Sequence, residues 1–118
     1  MTKIFHLATC NTCQKILAEL DPGPEVVLRE IKSAPITEAE LDEMYRLAGS
    51  YEALFSRRAM KYRQWGLNEK KLSEADYRRY ILEEYTFLKR PVVVTGEAIF
   101  IGNARKAVEG AKAALAGG

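Results

Sequence analysis

The distribution of apolar residues predicts two strands and a helix at the start of the chain. Residues 3–8 and 25–31 are short runs that mix β-branched and other apolar side chains, as strands do. Between them apolar residues recur at helical spacing over 16–20, and the proline- and glycine-containing stretch 21–24 ends that helix. A strand, a helix and a second strand within about thirty residues form a βαβ unit, whose two strands run parallel.

The middle of the chain carries helix signals. Thr37 and Glu40 stand at the spacing of a capping box and predict a helix that ends near Gly49. Residues 51–67 are apolar and basic, and they predict one or two short helices. The sequence at 73–76 is typical of the start of another helix.

The strand pattern returns near the end of the chain. Two short apolar runs surround a glycine-containing turn over residues 90–102, which predicts a hairpin. An apolar stripe at helical spacing then predicts a final helix, with Asn103 as its cap and Gly117-Gly118 beyond its end.

The predicted order of elements is therefore βαβ, a helical insertion over about 36–87, and ββα. This order predicts an α/β fold with a four-stranded mixed sheet and a helical insertion between its two halves. A length of 118 residues corresponds to about one domain, so we expect a single domain over residues 1–118.

Composition and charge exclude several classes of protein. The chain is 47% hydrophobic and 29% charged, as globular domains are. Its 18 basic and 16 acidic residues are interleaved and leave a net charge of +2, which argues against nucleic-acid binding by bulk electrostatics. The sequence has neither an apolar run of about 18 residues nor the long apolar region of a secretory signal. We therefore expect a cytoplasmic protein.

Both cysteines lie in one tetrapeptide, Cys10-Asn11-Thr12-Cys13, directly after the first predicted strand. A disulfide across two intervening residues closes too small a loop to add much stability, so a chemical use is expected. At the junction of a strand and a helix, the first sulfur lies near the free N–H groups and partial positive charge of the helix start, which favour a thiolate. Cys10 is therefore the candidate nucleophile and Cys13 the candidate resolving thiol.

Two other interpretations of the cysteine pair stay open. Both side chains could be small buried apolar residues, or they could form half of a zinc site. A structural zinc site usually takes four nitrogen or sulfur ligands, and the chain offers Cys10, Cys13 and its one histidine, His6. We therefore expect no metal. A lone histidine on a strand is more often packed and hydrogen-bonded than catalytic, and this applies to His6.

Arg90-Pro91 precedes the third predicted strand. Proline is tolerated at the start of a strand, and X-Pro bonds are where cis peptides occur. A cis Pro91 facing Cys10 would shape a groove, with Arg90 as an always-charged donor for an oxyanion. The alternative is a strand-initiating proline beside a solvated arginine. A solvated helix face is likewise the commoner outcome for a second basic group, Arg57, Arg58, Lys61 and Arg63.

Taken together, these residues resemble the arsenate reductase (ArsC) family of the glutaredoxin-coupled type, with its relatives the Spx regulators and the YffB-like reductases. The resemblance covers essentially the whole chain. It rests on Cys10-Asn11-Thr12-Cys13 with Gln14-Lys15, on Pro35-Ile36-Thr37, on Leu54-Phe55-Ser56-Arg57-Arg58 through to Gly66-Leu67, and on Leu88-Lys89-Arg90-Pro91-Val92-Val93-Val94 followed by Ile101-Gly102.

The resemblance implies a thioredoxin-like fold with a helical insertion, and Cys10 as the redox cysteine. In the arsenate reductases of this family three arginines hold the oxyanion, and glutathione with glutaredoxin completes the reduction. Arg90 matches the arginine before the proline, and Arg58 lies close to the place of another. The resemblance thus implies an anion site of Arg90, Arg58 and Pro91. It implies no cofactor, and an external thiol (glutathione, glutaredoxin or thioredoxin) as the electron donor.

One alternative comes from the Spx regulators. Cys13 stands where the arsenate reductases usually have serine, whereas Spx proteins have Cys-x-x-Cys as a redox switch, and Ser56-Arg57-Arg58 resembles their Ser-x-Arg. Those regulators bind the C-terminal domain of the RNA polymerase α subunit through a surface that includes a glycine close to the position of Gly49. The leading hypothesis is a thiol oxidoreductase acting on an oxyanion or a glutathione-type substrate, and the alternative is a redox-sensing regulator.

Overall fold

The strands and helices occur in the predicted order. The computed structural model describes residues 1–117. Gly117, predicted to lie beyond the last helix, is the final residue of that helix, and Gly118, predicted to lie there too, falls outside the described residues. In chain order the elements are β1 (Lys3–His6), α1 (Asn11–Leu20), β2 (Val27–Glu30), α2 (Glu38–Ala48), α3 (Met60–Gln64), α4 (Glu74–Glu83), β3 (Val92–Val94), β4 (Ile99–Ile101) and α5 (Arg105–Gly117).

The chain divides into two compact units. One is formed by Met1–Ala34 together with the chain from Arg90 onward, and the other by Pro35–Lys89. The helical insertion expected over about 36–87 thus lies within the second unit. That residues 1–118 act as one domain stays a prediction.

Within the first unit the strands form a four-stranded mixed sheet in the order β2-β1-β3-β4. β1 pairs parallel with β2, and its residues Lys3 and His6 lie opposite Val27 and Glu30. β3 pairs antiparallel with both β1 and β4, which confirms the predicted hairpin. The sheet and its flanking helices confirm the α/β, thioredoxin-like fold.

The core of the first unit lies on the face of the sheet that α1 and α5 cover. Ile4 of β1 and Val93 of β3 are register partners, and both are buried in this core. Val26, directly before β2, adds a further buried side chain. The helices contribute the rest, which come from one stripe of each helix, as expected for amphipathic helices packed on a sheet: Ile16, Leu20, Val108 and Ala111.

Local chemistry explains where α1 ends. Asp21, the C-cap of α1, adopts a left-handed conformation with φ of 45°, and its N–H donates to the carbonyl of Leu17. Pro22 follows at once and cannot continue the helix. This ending returns the chain to β2, so that the βαβ unit is completed in the predicted way.

In the second unit, α2 and α4 both begin with capping boxes. The Thr37 hydroxyl accepts a hydrogen bond from the N–H of Glu40, whose carboxylate accepts one from the Thr37 N–H. Ser73 and Asp76 repeat this exchange at the start of α4. Each box satisfies two backbone donors that the first turn of a helix leaves without partners.

The interior of the second unit is built around aromatic rings. Phe55 and Phe87 are fully buried and stack with their ring centroids 4.9 Å apart. Tyr77 of α4 is tilted against Phe55 at a centroid distance of 4.9 Å. The backbone next to these rings is held by hydrogen bonds of 2.7 Å from Ser56 to Phe87 and 2.8 Å from Lys89 to Leu54.

The prediction of one or two short helices over residues 51–67 is confirmed, whereas the predicted cap of α5 is wrong. This stretch forms a 3₁₀ turn at Glu52–Leu54 and the short helix α3. A second 3₁₀ turn, Leu67–Glu69, begins at its last residue, Leu67. Asn103 does not cap α5, because the helix begins at Arg105 and the first carbonyl it uses is that of Ala104, which accepts from Val108. No helix within residues 1–117 is both long and apolar enough to cross a membrane.

The capping box of α2 yields a stability prediction. Thr37→Ala removes the hydroxyl that accepts from Glu40, so the free energy of unfolding should fall by about 1 kcal/mol. Urea unfolding followed by circular dichroism measures the change. Thr37→Ser keeps the hydroxyl and serves as the control, and an equal loss in both variants would count against the cap as the cause.

Candidate active site at the start of α1

Cys10 occupies the N-cap position of α1. Its backbone is extended, with φ of −93° and ψ of 109°. Its N–H donates to the carbonyl of Leu7 at 3.1 Å, and its own carbonyl accepts the first helical hydrogen bond from Gln14 at 3.0 Å. The half-buried thiol of Cys10 thus stands beside a helix start whose first turn carries no acidic side chain.

The tight turn of residues 7–10, here named the 7–10 turn, connects β1 to α1. Its hydrogen bond from Cys10 to Leu7 reverses the chain directly after the strand. The side chain of Gln14, in the first turns of α1, donates to the Leu7 carbonyl at 3.0 Å. The same Gln14 nitrogen lies 3.4 Å from Nδ1 of His6. Helix, turn and strand end are therefore connected through one amide group.

Cys13 lies within the same helix turn, and its side chain is completely buried. Burial raises the pKa of its thiol, because a thiolate is poorly stabilised away from water. A backbone hydrogen bond with Leu7 and the charge of Arg90 lower this pKa, whereas the charges of Cys10 and Glu30 raise it, and the net shift is upward. The two thiols thus differ in exposure, and both are free.

Arg90 and Pro91 belong to the same unit as the cysteines. The Arg90-Pro91 peptide bond is cis, as the first of the two interpretations of this dipeptide requires. Pro91 is buried, and its carbonyl accepts a hydrogen bond of 2.9 Å from Gly102 after β4. Phe5 of β1 pairs with Val92 of β3, so the antiparallel register brings the residues before Val92 toward the end of β1 that precedes the 7–10 turn. Arg90 is half-buried, and its charge acts on Cys13.

Arg58 lies in the second unit, where it is exposed in the turn before α3. Its neighbour Arg57 is engaged with other side chains: it forms an ion pair with Glu52 at 2.6 Å and donates to the hydroxyl of Tyr77 at 3.0 Å. Part of the basic group thus contributes to the packing of the second unit. A role of Arg58 in anion binding stays a prediction.

Lys61, another member of the basic group, also has a structural contact. Its ammonium group lies 2.8 Å from the buried carboxylate of Glu84. Glu84 also accepts hydrogen bonds from the backbone and hydroxyl of Thr86. Although burial opposes ionisation, the Lys61 and Thr86 hydrogen bonds hold the pKa of Glu84 below its ordinary value. Lys61 thus neutralises a buried charge.

Glu30 lies near the cysteines and is not among the site residues predicted from the sequence. It ends β2 and lies opposite His6 in the parallel register. One of its carboxylate oxygens accepts from the N–H of Ala8 at 2.8 Å, within the 7–10 turn. The other accepts from Lys32 and Ser33. These bonds, first of all the one from Ala8, lower the pKa of Glu30 to about 2. The sequence signal available for Glu30 was a charged residue at the end of the strand predicted to run parallel to β1.

His6 is half-buried at the end of β1. Burial lowers its pKa, and the charge of Glu30 acts in the opposite direction. Its contact with Gln14 fits the expectation of a packed, hydrogen-bonded histidine. Within the described part of the chain, His, Cys, Asp and Glu side chains form no group of three or more able to hold a metal ion. That the protein needs no metal stays a prediction.

A mixed sheet of this topology, with Cys-x-x-Cys at the start of its first helix, defines a protein of the thioredoxin-like class. The model of the ArsC family matches residues 5–111, and the chain therefore belongs to the ArsC family. The resemblance inferred from the motifs is confirmed. Among curated proteins no significant match was found.

Solved structures share the fold over nearly their whole length. The YFFB protein has a TM-score of 0.78 at 20% identity, over 98% of this chain and 99% of that one. An arsenate reductase from Vibrio cholerae has a TM-score of 0.74 at 20% identity, over 92% of each chain. An arsenate reductase (ArsC) related protein from Brucella melitensis has a TM-score of 0.70 at 21% identity, again over 92% of each. At these identities the likeness shows the fold.

Membership of the ArsC family supports the predicted class of activity, an arsenate reductase-like enzyme that depends on thiols. It also suggests electron donors of the glutaredoxin or thioredoxin kind. The substrate, the use of the cysteine pair and the anion-binding residues belong to the proposal below.

The unequal burial of the two thiols yields a prediction. Cys10 should react with iodoacetamide near neutral pH at least about tenfold faster than Cys13, because Cys13 is completely buried and has a raised pKa. Mass spectrometry of peptides after timed alkylation measures both rates. Denatured protein is the control, in which the two rates should converge. Equal rates in the folded protein would contradict the assignment of Cys10 as the reactive thiol.

Proposed function

We propose that this protein is a thiol-dependent oxidoreductase in which Cys10 is the nucleophile and Cys13 the resolving thiol. One observation carries the proposal: a partly exposed thiol at the N-cap of α1 is followed, within one turn, by a buried thiol on which the charges of both Cys10 and Arg90 act. An exposed thiol at a helix start is suited to attack, and a shielded thiol one turn later is suited to complete the exchange.

With a glutathione mixed disulfide as substrate, the proposed reaction has two steps. The Cys10 thiolate attacks the glutathione sulfur, the substrate S–S bond breaks, and the other thiolate leaves with the electron pair and takes up a proton. Cys13 then loses its proton and attacks the Cys10 sulfur, so that glutathione leaves as a thiolate. The substrate has gained two electrons, and the protein holds a Cys10–Cys13 disulfide.

An oxyanion such as arsenate is the alternative proposed substrate, reduced by the same two cysteines. The Cys10 sulfur replaces one oxygen of arsenic, which leaves as water. Attack of Cys13 on the Cys10 sulfur then breaks the S–As bond, and arsenic keeps the electron pair and is reduced from As(V) to As(III). In both cases an external thiol (glutathione, glutaredoxin or thioredoxin) reduces the disulfide and resets the protein.

Arg90 supplies the positive charge in this proposal. A guanidinium group stays charged at all working pH values and can donate two parallel hydrogen bonds to an oxyanion or a carboxylate. The register of β1 and β3 supports a place for it near the 7–10 turn, and its effect on Cys13 supports the same place. Pro91 fixes the backbone beside it, and Arg58 is the second proposed contact to the anion.

A redox-sensing regulator that binds the RNA polymerase α subunit is the competing proposal. Gly49, near the glycine of the Spx contact surface, is the C-cap of α2 and has φ of 79°. This left-handed conformation is reason enough for a glycine at that position. Since both proposals include the disulfide, turnover is what separates them.

The enzyme proposal predicts steady turnover. With glutathione and glutaredoxin, or with thioredoxin, supplied as reductant, the protein should consume a glutathione mixed disulfide or arsenate over many cycles. Cys10→Ser should abolish this turnover, since the nucleophile is lost, and Cys13→Ser should accumulate the Cys10 adduct, visible as added mass. Thr12→Ser, a conservative change within the same tetrapeptide, is the control. No turnover with either substrate, together with capture of the polymerase α subunit, would overturn the enzyme proposal.

The anion site yields a separate prediction. Arg90→Ala should weaken the binding of arsenate or of the mixed disulfide by about tenfold or more, the value of a lost charge-assisted hydrogen bond. Arg58→Ala should weaken it less. Substrate concentration series give KM for each variant, and Arg46→Ala, which removes an exposed arginine paired with Glu43, is the matched control. An unchanged KM in Arg90→Ala would remove Arg90 from the site.

A further inference from the structure

Glu30 makes an unusual number of contacts for a half-exposed side chain. Its carboxylate accepts four hydrogen bonds, at 2.8 Å from Ala8, 2.9 Å and 2.7 Å from the backbone of Lys32 and Ser33, and 2.9 Å from the Ser33 hydroxyl. The last three lie in the turn of residues 30–34, here named the 30–34 turn, which is closed by a bond of 3.1 Å from Ala34 to the Glu30 carbonyl. One side chain therefore connects the 30–34 turn with the 7–10 turn.

The connection requires both oxygens of an ionised carboxylate. Oε2 accepts from Ala8, while Oε1 accepts from Lys32 and Ser33. An ionised carboxylate is purely an acceptor, whereas a glutamine has one acceptor oxygen and an NH₂ group that donates. A neutral amide of the same shape can therefore serve one of the two turns but not both.

The 7–10 turn is thus held from two sides. Gln14 of α1 donates to the Leu7 carbonyl on one side, and Glu30 of β2 accepts from the Ala8 N–H on the other. The turn ends at Cys10, whose backbone caps α1. Loss of either hydrogen bond would allow the Cys10 sulfur to shift relative to the helix start.

We propose that Glu30 is a positioning residue for Cys10, which fixes the 7–10 turn through its carboxylate and so places the Cys10 sulfur for reaction. This inference rests on the proposed function, because it gives Glu30 a part in the same site. Glu30 acts through the backbone of Ala8 and is not itself a catalytic residue.

A second effect follows from the negative charge of Glu30. Burial is the main cause of the raised pKa of Cys13, and the charge of Glu30 makes a smaller contribution in the same direction. Other groups that act on Cys13 are Cys10, which raises its pKa, and Arg90, which lowers it. Removal of the Glu30 charge should therefore shift the reactivity of Cys13 toward lower pH. Because loss of burial would shift it in the same direction, a variant that loosens the turn but keeps the charge is needed to separate the two causes.

Two substitutions separate position from charge. Glu30→Gln keeps the shape of the side chain, removes its negative charge and loses the hydrogen bonds to one of the two turns. Glu30→Asp keeps the charge but shortens the side chain by one methylene, so that the carboxylate no longer reaches both turns. The matched control is Glu74→Gln in the second unit, since the Glu74 carboxylate also accepts from two backbone N–H groups, those of Tyr51 and Glu52.

The measurements are made on the full chain. Amide hydrogen exchange at Ala8 should accelerate about tenfold in both Glu30 variants, since its hydrogen bond is weakened or lost. The alkylation rate of Cys10 should fall severalfold in Glu30→Asp. The pH profile of Cys13 alkylation, measured in a Cys10→Ser background, should move to lower pH in Glu30→Gln and stay in place in Glu30→Asp. Turnover should fall by about tenfold or more in both, as a displaced reactive group requires.

The control variant should behave like the unchanged chain, and different results would contradict the role of Glu30 and the proposed function. In Glu74→Gln the Cys10 rate, the Cys13 profile and turnover should equal those of the unchanged chain. If Ala8 exchange rises in a Glu30 variant while the Cys10 rate and turnover stay unchanged, Glu30 is structural and the inference is overturned. If Glu30→Gln does not fold, Glu30→Asp decides by the same readouts. If the unchanged chain turns over neither substrate, the proposed function fails, while exchange and alkylation still test Glu30.

Discussion

The parallel pairing of β1 with β2 is the constraint on which the candidate site depends. It places the ends of the two strands, His6 and Glu30, side by side at one edge of the sheet. Chains that leave parallel strands at their carboxyl ends meet at that edge, which is why sites in α/β folds form there. The turn that leads to Cys10 and the turn that follows Glu30 are neighbours for this reason. A shift of the register by one residue would separate the Glu30 carboxylate from the Ala8 N–H.

The pairing of β1 with β3 completes the site from the other end of the chain. Phe5 lies opposite Val92, so the segment that holds Arg90 and Pro91 approaches the end of β1 even though it follows the whole second unit in sequence. The first unit is thus assembled from the two ends of the chain, whereas the second unit is continuous. Capping boxes and an aromatic interior give the second unit its own local order.

Much of this organisation could be predicted from the sequence, because it follows from local chemistry. The capping box at Thr37, the glycine at the end of α2 and the proline after α1 set helix ends by themselves, and each helix ends or begins where these residues stand. The family and the fold followed from motifs of the same local kind. The pairings of Arg57 with Glu52 and of Lys61 with Glu84, and the contacts of Glu30, could not be predicted, since they connect residues through packing and strand register. Asn103 shows the opposite limit: a good capping residue is not used when the helix starts two positions later.

The complete burial of Cys13 has a consequence for how the proposed disulfide would be reduced. A thiolate must approach a disulfide sulfur from outside, and Cys10 is the accessible one of the pair. Attack there expels Cys13, and a thiol with a raised pKa is a slow leaving group. The oxidised protein would therefore discriminate among electron donors by their strength as nucleophiles, and the lifetime of its oxidised form would be set by the donor rather than by the substrate.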